Sequence, residues 1–154
     1  EWNTLDDEQT TATISGNVIS NTTDDGINIV YEDGTSTFVI SNNNISNAGD
    51  DGIELYNDED DHDSAVALRN NNILNCDDEA VEVDWFGQSG FDICLEIIGN
   101  IVNDDVYLSQ VGDGLINVEQ AALVGTTLND FQGNAEFDRN DDATSVSNGF
   151  CAIP

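Results

Sequence analysis

Pairs of adjacent aspartates recur along the chain and are the residues best suited to binding chemistry. The pairs are Asp24–Asp25, Asp50–Asp51, Asp77–Asp78 and Asp104–Asp105. Carboxylate, amide and backbone carbonyl oxygens in irregular turns are the ligands that Ca²⁺ prefers in proteins. The recurring pairs therefore predict one or more Ca²⁺ sites. The alternative is a set of solvated aspartate turns in a protein adapted to salty water.

The net charge limits which partners the protein can have. The chain has 32 acidic residues and only two basic ones, Arg69 and Arg139, which gives a formal charge of −30. Such a charge argues against binding nucleic acid or an anionic membrane surface. No stretch approaches the ~20 apolar residues that span a bilayer, so membrane insertion is not expected either.

The aspartate pairs lie within an internal repeat. Residues 14–29 align without gaps to residues 40–55 and then to residues 68–83, and a looser copy extends from 95 to 118. The steps between copies are 26, 28 and about 28 residues. Within each copy apolar and polar residues alternate, as in Ile53 and Leu55, which indicates short strands rather than helices. A repeat of this length predicts a solenoid whose rungs stack as parallel strands.

The pattern I-x-x-N-x-I-x-N-x-x-x-D-G-I-x-I, seen at 14–29 and, with Leu55 in its last position, at 40–55, resembles the parallel β-helix repeats of the pectate-lyase-like superfamily. The resemblance implies an all-β, right-handed parallel β-helix of about five rungs with 26–28 residues each. We expect the helix to occupy residues 13–137, after an N-terminal lead over 1–12 and before a C-terminal cap or tail over 138–154. The superfamily includes lyases, hydrolases, adhesins and structural proteins, so the resemblance does not define a function.

Stacking of the repeats predicts columns of equivalent residues along the solenoid. One apolar column is predicted to contain Ile19, Ile45, Ile73 and Ile101, and a second Ile27, Ile53 and Val81. A third column resembles the asparagine ladder found at tight turns of such helices, where asparagine tolerates left-handed backbone and stacked amides form hydrogen bonds. Its members are Asn21, Asn47, Asn75 and Asn103. We expect this column to have a structural role.

An enzymatic function receives little support from the residues. The stretch GDDGIEL over 49–55 looks like part of the clustered aspartates of polygalacturonase-like hydrolases, but the accompanying histidine and basic motifs of that family are absent from the sequence. A lyase would need a basic residue as the proton acceptor, and Arg69 has no basic neighbour in the sequence. No catalytic residue is therefore assigned.

Two other segments invite a functional interpretation. The acidic run over 56–65 is expected to form a solvated outward loop that includes His62. The aromatic residues of DWFGQSGF, among them Trp85 and Phe91, are expected to pack over the solenoid, although exposed aromatic rings could also stack on a carbohydrate.

The absence of lysine and the dominance of aspartate and asparagine favour an exported protein. Three cysteines cannot all pair within one chain, so either one disulfide with one free thiol or three thiols is expected. We predict that the tail folds back to pair Cys94 with Cys151. Asn21 and Asn44 match the glycosylation acceptor pattern. The absence of lysine and of methionine suggests a processed or excised polypeptide outside the cell or at its surface.

These observations together predict a non-catalytic extracellular structural or adhesive module. We expect it to bind Ca²⁺ and to stack end to end with other copies or with further rungs into a rod or filament. The alternative is a polysaccharide-active enzyme, a lyase or glycoside hydrolase, or a fragment of one.

Overall fold

A computed structural model describes ten segments of the chain, which are residues 2–3, 8–31, 34–57, 62–87, 90, 92–120, 131–133, 137–139, 144–146 and 150–154. The secondary structure within these segments consists of strands. They are β1 (Trp2–Asn3), β2 (Glu8–Ser15), β3 (Val18–Ser20), β4 (Ile27–Tyr31), β5 (Gly34–Ser41), β6 (Asn44–Ser46), β7 (Ile53–Asn57), β8 (His62–Arg69), β9 (Asn72–Leu74), β10 (Val81–Gly87), β11 (Ile93–Ile98), β12 (Asn100–Val102), β13 (Val106–Gly112), β14 (Ile116–Gln120), β15 (Phe131–Gly133), β16 (Phe137–Arg139) and β17 (Thr144–Val146). In these segments, no helix is long and apolar enough to cross a membrane.

Three parallel sheets run along the axis of a solenoid. Sheet A has the order β1-β4-β7-β10-β13-β16, sheet B the order β17-β14-β11-β8-β5-β2, and sheet C the order β15-β12-β9-β6-β3. The predicted all-β parallel solenoid is therefore confirmed. The predicted number of about five rungs is slightly off, since sheets A and B each contain six strands and sheet C contains five within the described residues.

Alternating side chains of each strand fill the interior. Ile27, Ile53 and Val81 lie in register, and all three are buried, as the repeat predicts. The prediction of the other apolar column, which was expected to contain Ile19, Ile45, Ile73 and Ile101, is wrong at its fourth position. Val102 pairs with Ile73 and is fully buried, whereas Ile101 is 46% exposed. The fourth copy is displaced by 29 residues rather than 28 at this point, so the next residue along the chain faces inward.

Residues with a left-handed backbone conformation lie at two corners of the solenoid. Asn21, Asn47 and Asn75 have φ angles of 54°, 53° and 58°, which asparagine tolerates better than most residues. Asn47 Nδ2 lies 3.5 Å from Asn21 Oδ1, and Asn103 Nδ2 donates to Asn75 Oδ1 at 3.1 Å. The other corner also has positive φ values, at Gly16, Asn42, Asn70 and Gly99. These corners direct the chain from one sheet into the next.

A second, buried asparagine ladder runs through the corner that precedes sheet C. Asn71 Oδ1 accepts hydrogen bonds from both the backbone N–H and the Nδ2 of Asn43. Asn71 in turn donates its own N–H and Nδ2 to Asn100 Oδ1, and Nδ2 also donates to the Ile40 carbonyl oxygen. Asn43, Asn71 and Asn100 are at most 1% exposed. The ladder satisfies backbone groups that neighbouring rungs would otherwise leave without partners.

Replacing Asn71 by alanine should lower the free energy of unfolding by about 2–3 kcal/mol, because buried donors and acceptors on Asn43 and Asn100 would lose their partners. Chemical denaturation measures the change. Asn72→Ala is the matched control, since the amide of Asn72 donates to the exposed Asn44 Oδ1 and its loss should cost well under 1 kcal/mol. Equal effects of the two substitutions would contradict a structural role for the buried ladder.

The interior also contains a polar cluster that the sequence did not predict. His62 is fully buried at the start of β8, and its Nε2 lies 3.0 Å from Ser36 Oγ, which lies 2.9 Å from Ser64 Oγ. The expectation that His62 belongs to an outward loop is therefore wrong, because strand pairing extends to it opposite Gly34. The acidic residues 58–61 lie outside the described residues.

Trp85 is also fully buried, inside the solenoid rather than over it, with its ring 5.4 Å from that of Tyr31. Phe91 lies outside the described residues.

A disulfide joins Cys94 of β11 to Cys151, with a Cα–Cα distance of 5.4 Å. Cys76 is a buried free thiol, and desolvation raises its pKa to about 11. Burial of this kind makes a cysteine unreactive. The disulfide fastens residues 150–154 to sheet B.

Candidate cation-binding site

The acidic residues lie where the chain leaves the Asn21 and Asn47 corners and enters sheet A. Gly26 and Gly52 sit directly before β4 and β7, and they let neighbouring rungs approach closely. A Cβ atom at Gly26 would lie 2.6 Å from the Gly52 carbonyl oxygen, and one at Gly52 would lie 2.5 Å from the Ala80 carbonyl oxygen. The Asp-Gly sequence therefore holds each aspartate close to the equivalent residue of the next rung.

Asp25 and the residues stacked on it in the next two rungs form a ladder of hydrogen bonds. Asp25 Oδ1 accepts from the backbone N–H of Asp51 at 3.1 Å, and Asp51 Oδ1 accepts from the backbone N–H of Glu79 at 2.9 Å. In each of these bonds, one carboxylate oxygen of an aspartate accepts a backbone N–H group from the turn of the next rung. The other carboxylate oxygen of Asp51 stays available for a ligand or a proton.

A parallel row of polar side chains lies beside this ladder on the outer face of sheet A. Asn28, Glu54 and Glu82 are in register on β4, β7 and β10. Asn28 Nδ2 donates to Asp25 Oδ2 at 2.7 Å and also to Glu54 Oε2. The ladder and the row together form an acidic strip that crosses three rungs.

Three carboxylates of the strip converge. One oxygen from each of Asp51, Glu79 and Glu82 lies within 4.8 Å of the other two. Asp51 is only 3% exposed, and the two glutamates are partly buried. We call these three residues the carboxylate triad. At such a distance two ionised carboxylates repel by about 3 kcal/mol at an effective dielectric of 20, so the triad is unfavourable when fully ionised and without a bound cation.

Burial and mutual repulsion raise the pKa values within the strip. Burial, together with the hydrogen bond and charge of Glu82, raises the pKa of Asp51 to about 8, although the N–H of Glu79 opposes the change. Burial is the largest cause that raises the pKa of Glu79 to about 7, and a hydrogen bond with Asp78 is the next largest. Burial also raises the pKa of Glu82, and burial followed by the charge of Asp25 raises that of Glu54 to about 7.

A second group consists of Asp24, Asp25 and Asp50, which also offer oxygens within 4.8 Å of one another. Asp24 and Asp50 are exposed. Desolvation, followed by the charges of Asp25 and Asp78, raises the pKa of Asp50. Because water screens exposed carboxylates, this group needs a cation less than the triad does.

The eight aspartates predicted as metal ligands therefore separate into different environments. Asp24, Asp25, Asp50 and Asp51 belong to the two groups, whereas Asp77, Asp78, Asp104 and Asp105 belong to neither within the described residues. The predicted stacking of the third aspartate pair is wrong by one position, because 28 residues separate Asp51 from the residue above it, which is Glu79. Asp105 accepts the N–H of Ala80 through its backbone carbonyl oxygen instead.

Sequence reasoning missed Glu79 and Glu82. The ungapped alignment of residues 40–55 with 68–83 already places Glu79 opposite Asp51 and Glu82 opposite Glu54. Neither glutamate belongs to an aspartate pair, so the recurring pairs that predict the site do not include them.

The predicted glycosylation acceptors Asn21 and Asn44 are both exposed.

Comparison with known proteins gives one family. A family model described as a right-handed beta helix region matches residues 5–148. No curated protein and no solved structure matches the chain.

Proposed function

Since the chain belongs to the right-handed β-helix family, we propose that it is a non-catalytic structural module whose acidic strip binds Ca²⁺. The observation that carries the proposal is the carboxylate triad, in which a nearly buried aspartate and two glutamates converge within 4.8 Å. Hard divalent cations prefer oxygen ligands of this kind. Water would supply the remaining ligands.

The charge balance around the triad supports this proposal. Among the described side chains, Arg69 is the basic group, and it pairs with Glu96 of sheet B. Within the described side chains, protons and metal ions are therefore the counter-charges available to the triad on sheet A. A cation that binds the ionised triad stabilises the folded state by mass action.

The alternative function, a polysaccharide-active enzyme, draws on the same residues. A buried carboxylic acid with a raised pKa beside a second carboxyl group is the arrangement of a general acid in glycoside hydrolysis. In the described part of the chain, however, no basic side chain lies beside the triad to bind an anionic sugar. Two side-chain acceptors of the strip are also occupied by backbone N–H groups, which suits a structural role.

Thermal melting tests the proposal. Millimolar CaCl₂ at about pH 8 should raise the melting temperature by roughly 10 °C over a chelated sample at equal ionic strength, because 1,000-fold excess over Kd contributes about 4 kcal/mol. Sodium chloride at matched ionic strength is the control for general screening. Equal melting temperatures in the two samples would remove the proposed sites and leave a solvated acidic surface.

The extracellular location, the end-to-end association with other copies or further rungs, and a carbohydrate partner stay predictions from the sequence.

A further inference from the structure

Residues 150–154 lie across the outer face of sheet B. Cys151 forms the disulfide with Cys94 of β11, and its backbone N–H donates to Glu119 Oε2 at 2.7 Å. Arg69 of β8 holds the same segment farther along, because its Nη1 donates to the Pro154 carbonyl oxygen at 2.8 Å and its Nη2 lies 3.4 Å from the Ile153 carbonyl oxygen. The segment thus spans three adjacent strands, β8, β11 and β14.

The segment covers two stacked carboxylates. Glu96 and Glu119 are in register on β11 and β14, on the outer face of the sheet. They are only 8% and 2% exposed, although residues on an outer face are normally hydrated. Arg69 compensates part of their charge, with its Nε 2.5 Å from Glu96 Oε1 and its Nη2 3.1 Å from Glu96 Oε2. The segment contacts Glu119 directly and reaches Glu96 through Arg69, so it contributes to the burial of both carboxylates.

Few noncovalent contacts hold the segment in place. Phe150 is 56% exposed, and Ala152 and Pro154 are also exposed. Little of their apolar surface is therefore buried, and the remaining attachment within the described residues consists of three hydrogen bonds to Arg69 and Glu119 at a partly hydrated surface. The covalent link is the dominant attachment. Cys94 and Cys151 are both partly exposed, so a thiol reagent can reach the disulfide bond.

We propose that residues 150–154 form a redox-gated strap, in which reduction of the Cys94–Cys151 disulfide releases the segment and exposes Glu96 and Glu119. The reductant is a dithiol. One of its thiolates attacks a sulfur of the disulfide to form a mixed disulfide, and its second thiol then displaces the protein thiol. Two electrons and two protons pass to the protein, which gains two thiols, and the dithiol becomes a disulfide. The rungs stay folded, because the strap is attached to the outside of sheet B.

Carboxyl labelling with a carbodiimide and an amine nucleophile, read by peptide mass spectrometry, tests the strap. Labelling of Glu96 and Glu119 should rise severalfold after treatment with a dithiol reductant, while labelling of Glu54 on sheet A stays constant. The tryptophan bands of the near-ultraviolet circular dichroism spectrum, to which the buried Trp85 contributes, should not change, whereas the broad contribution of the disulfide itself should disappear. Reoxidation should restore the protection of both glutamates.

Two variants provide the controls. Cys76→Ser lacks only the buried free thiol and should respond to reduction like the parent protein. The double variant Cys94→Ser with Cys151→Ser should show high labelling of Glu96 and Glu119 without any reductant. Unchanged labelling after complete reduction would overturn the proposal. Loss of the Trp85 signal on reduction would overturn it as well, because the disulfide would then be required for the fold itself.

Discussion

In the presence of a chelator, the protein should lose roughly 4 kcal/mol of unfolding free energy as the pH rises from about 6 to about 9. The cause lies in the acidic strip, where the folded state raises the pKa of Asp51 to about 8 and those of Glu54 and Glu79 to about 7. The loss is large against the 5–15 kcal/mol that typical domains possess.

The sign of this effect follows from proton uptake. The ordinary pKa values are 3.8 for Asp51 and 4.5 for the glutamates, so near pH 6 the folded state holds protons that the unfolded chain has already released. The stability contributed by these protons is complete below the unfolded pKa values and is lost as the pH rises through the folded ones. Partly exposed groups contribute less than their full shift, because solvent screens them.

Urea denaturation at several pH values, with chelator and constant ionic strength, measures the dependence. The free energy of unfolding should fall steadily across the range. Saturating Ca²⁺ should recover much of the loss at the alkaline end, since the cation replaces protons on the triad. A free energy that is constant or rises between pH 6 and 9 in chelator would show that the strip is solvated and unstrained.

Asp51→Asn should stabilise the chelated protein at about pH 9 by roughly 3 kcal/mol and should abolish most of the response to Ca²⁺. The asparagine carbonyl oxygen keeps the hydrogen bond from the Glu79 N–H, and the substitution removes the least exposed charge of the triad. At pH 6 the stabilisation should be smaller but still present, because Asp51 is then protonated in the folded state, whereas the unfolded chain, with an ordinary pKa of 3.8, has released that proton. Chemical denaturation of both proteins, with and without Ca²⁺, gives the two differences.

Asp63→Asn is the matched control for this substitution. Asp63 Oδ1 accepts the backbone N–H of Asp92 at 2.8 Å, which reproduces the rung-to-rung hydrogen bond of Asp51 outside the two carboxylate groups. This variant should show neither the alkaline stabilisation nor the loss of the Ca²⁺ response. Destabilisation of the Asp51→Asn protein at alkaline pH in chelator would mean that the ionised carboxylate is favourable in the fold.

The fold could be predicted because the repeat determines both packing and turns. Apolar residues at Ile27, Ile53 and Val81 alternate with polar ones, and only strands that stack in register bury all of them. The burial of Val102 in place of Ile101 could not be predicted, since one additional residue in the chain reverses which side chains of a strand face inward. The position of that residue depends on strand pairing, which the loose fourth copy does not specify.

The candidate site could be predicted only in part. The Asp-Gly turns indicate where carboxylates stack, but which of them converge depends on the register between rungs. That register brings Glu79 and Glu82 to Asp51 and leaves Asp77 and Asp105 out of the cluster. The burial of His62 could not be predicted either. Its neighbours in the sequence are acidic, and its partner Ser36, which contacts Ser64 in turn, lies at another position in the repeat.

Calorimetric titration of Ca²⁺ at about pH 7.5, repeated in two buffers of different ionisation enthalpy, tests the central claim most directly. If the triad exchanges protons for a cation, the parent protein should bind Ca²⁺ saturably and release protons, because binding requires the ionised carboxylates. The Asp51→Asn protein should lose this binding, and the Asp63→Asn protein should keep it. Absence of saturable binding in the parent protein, or binding without proton release, would contradict the account.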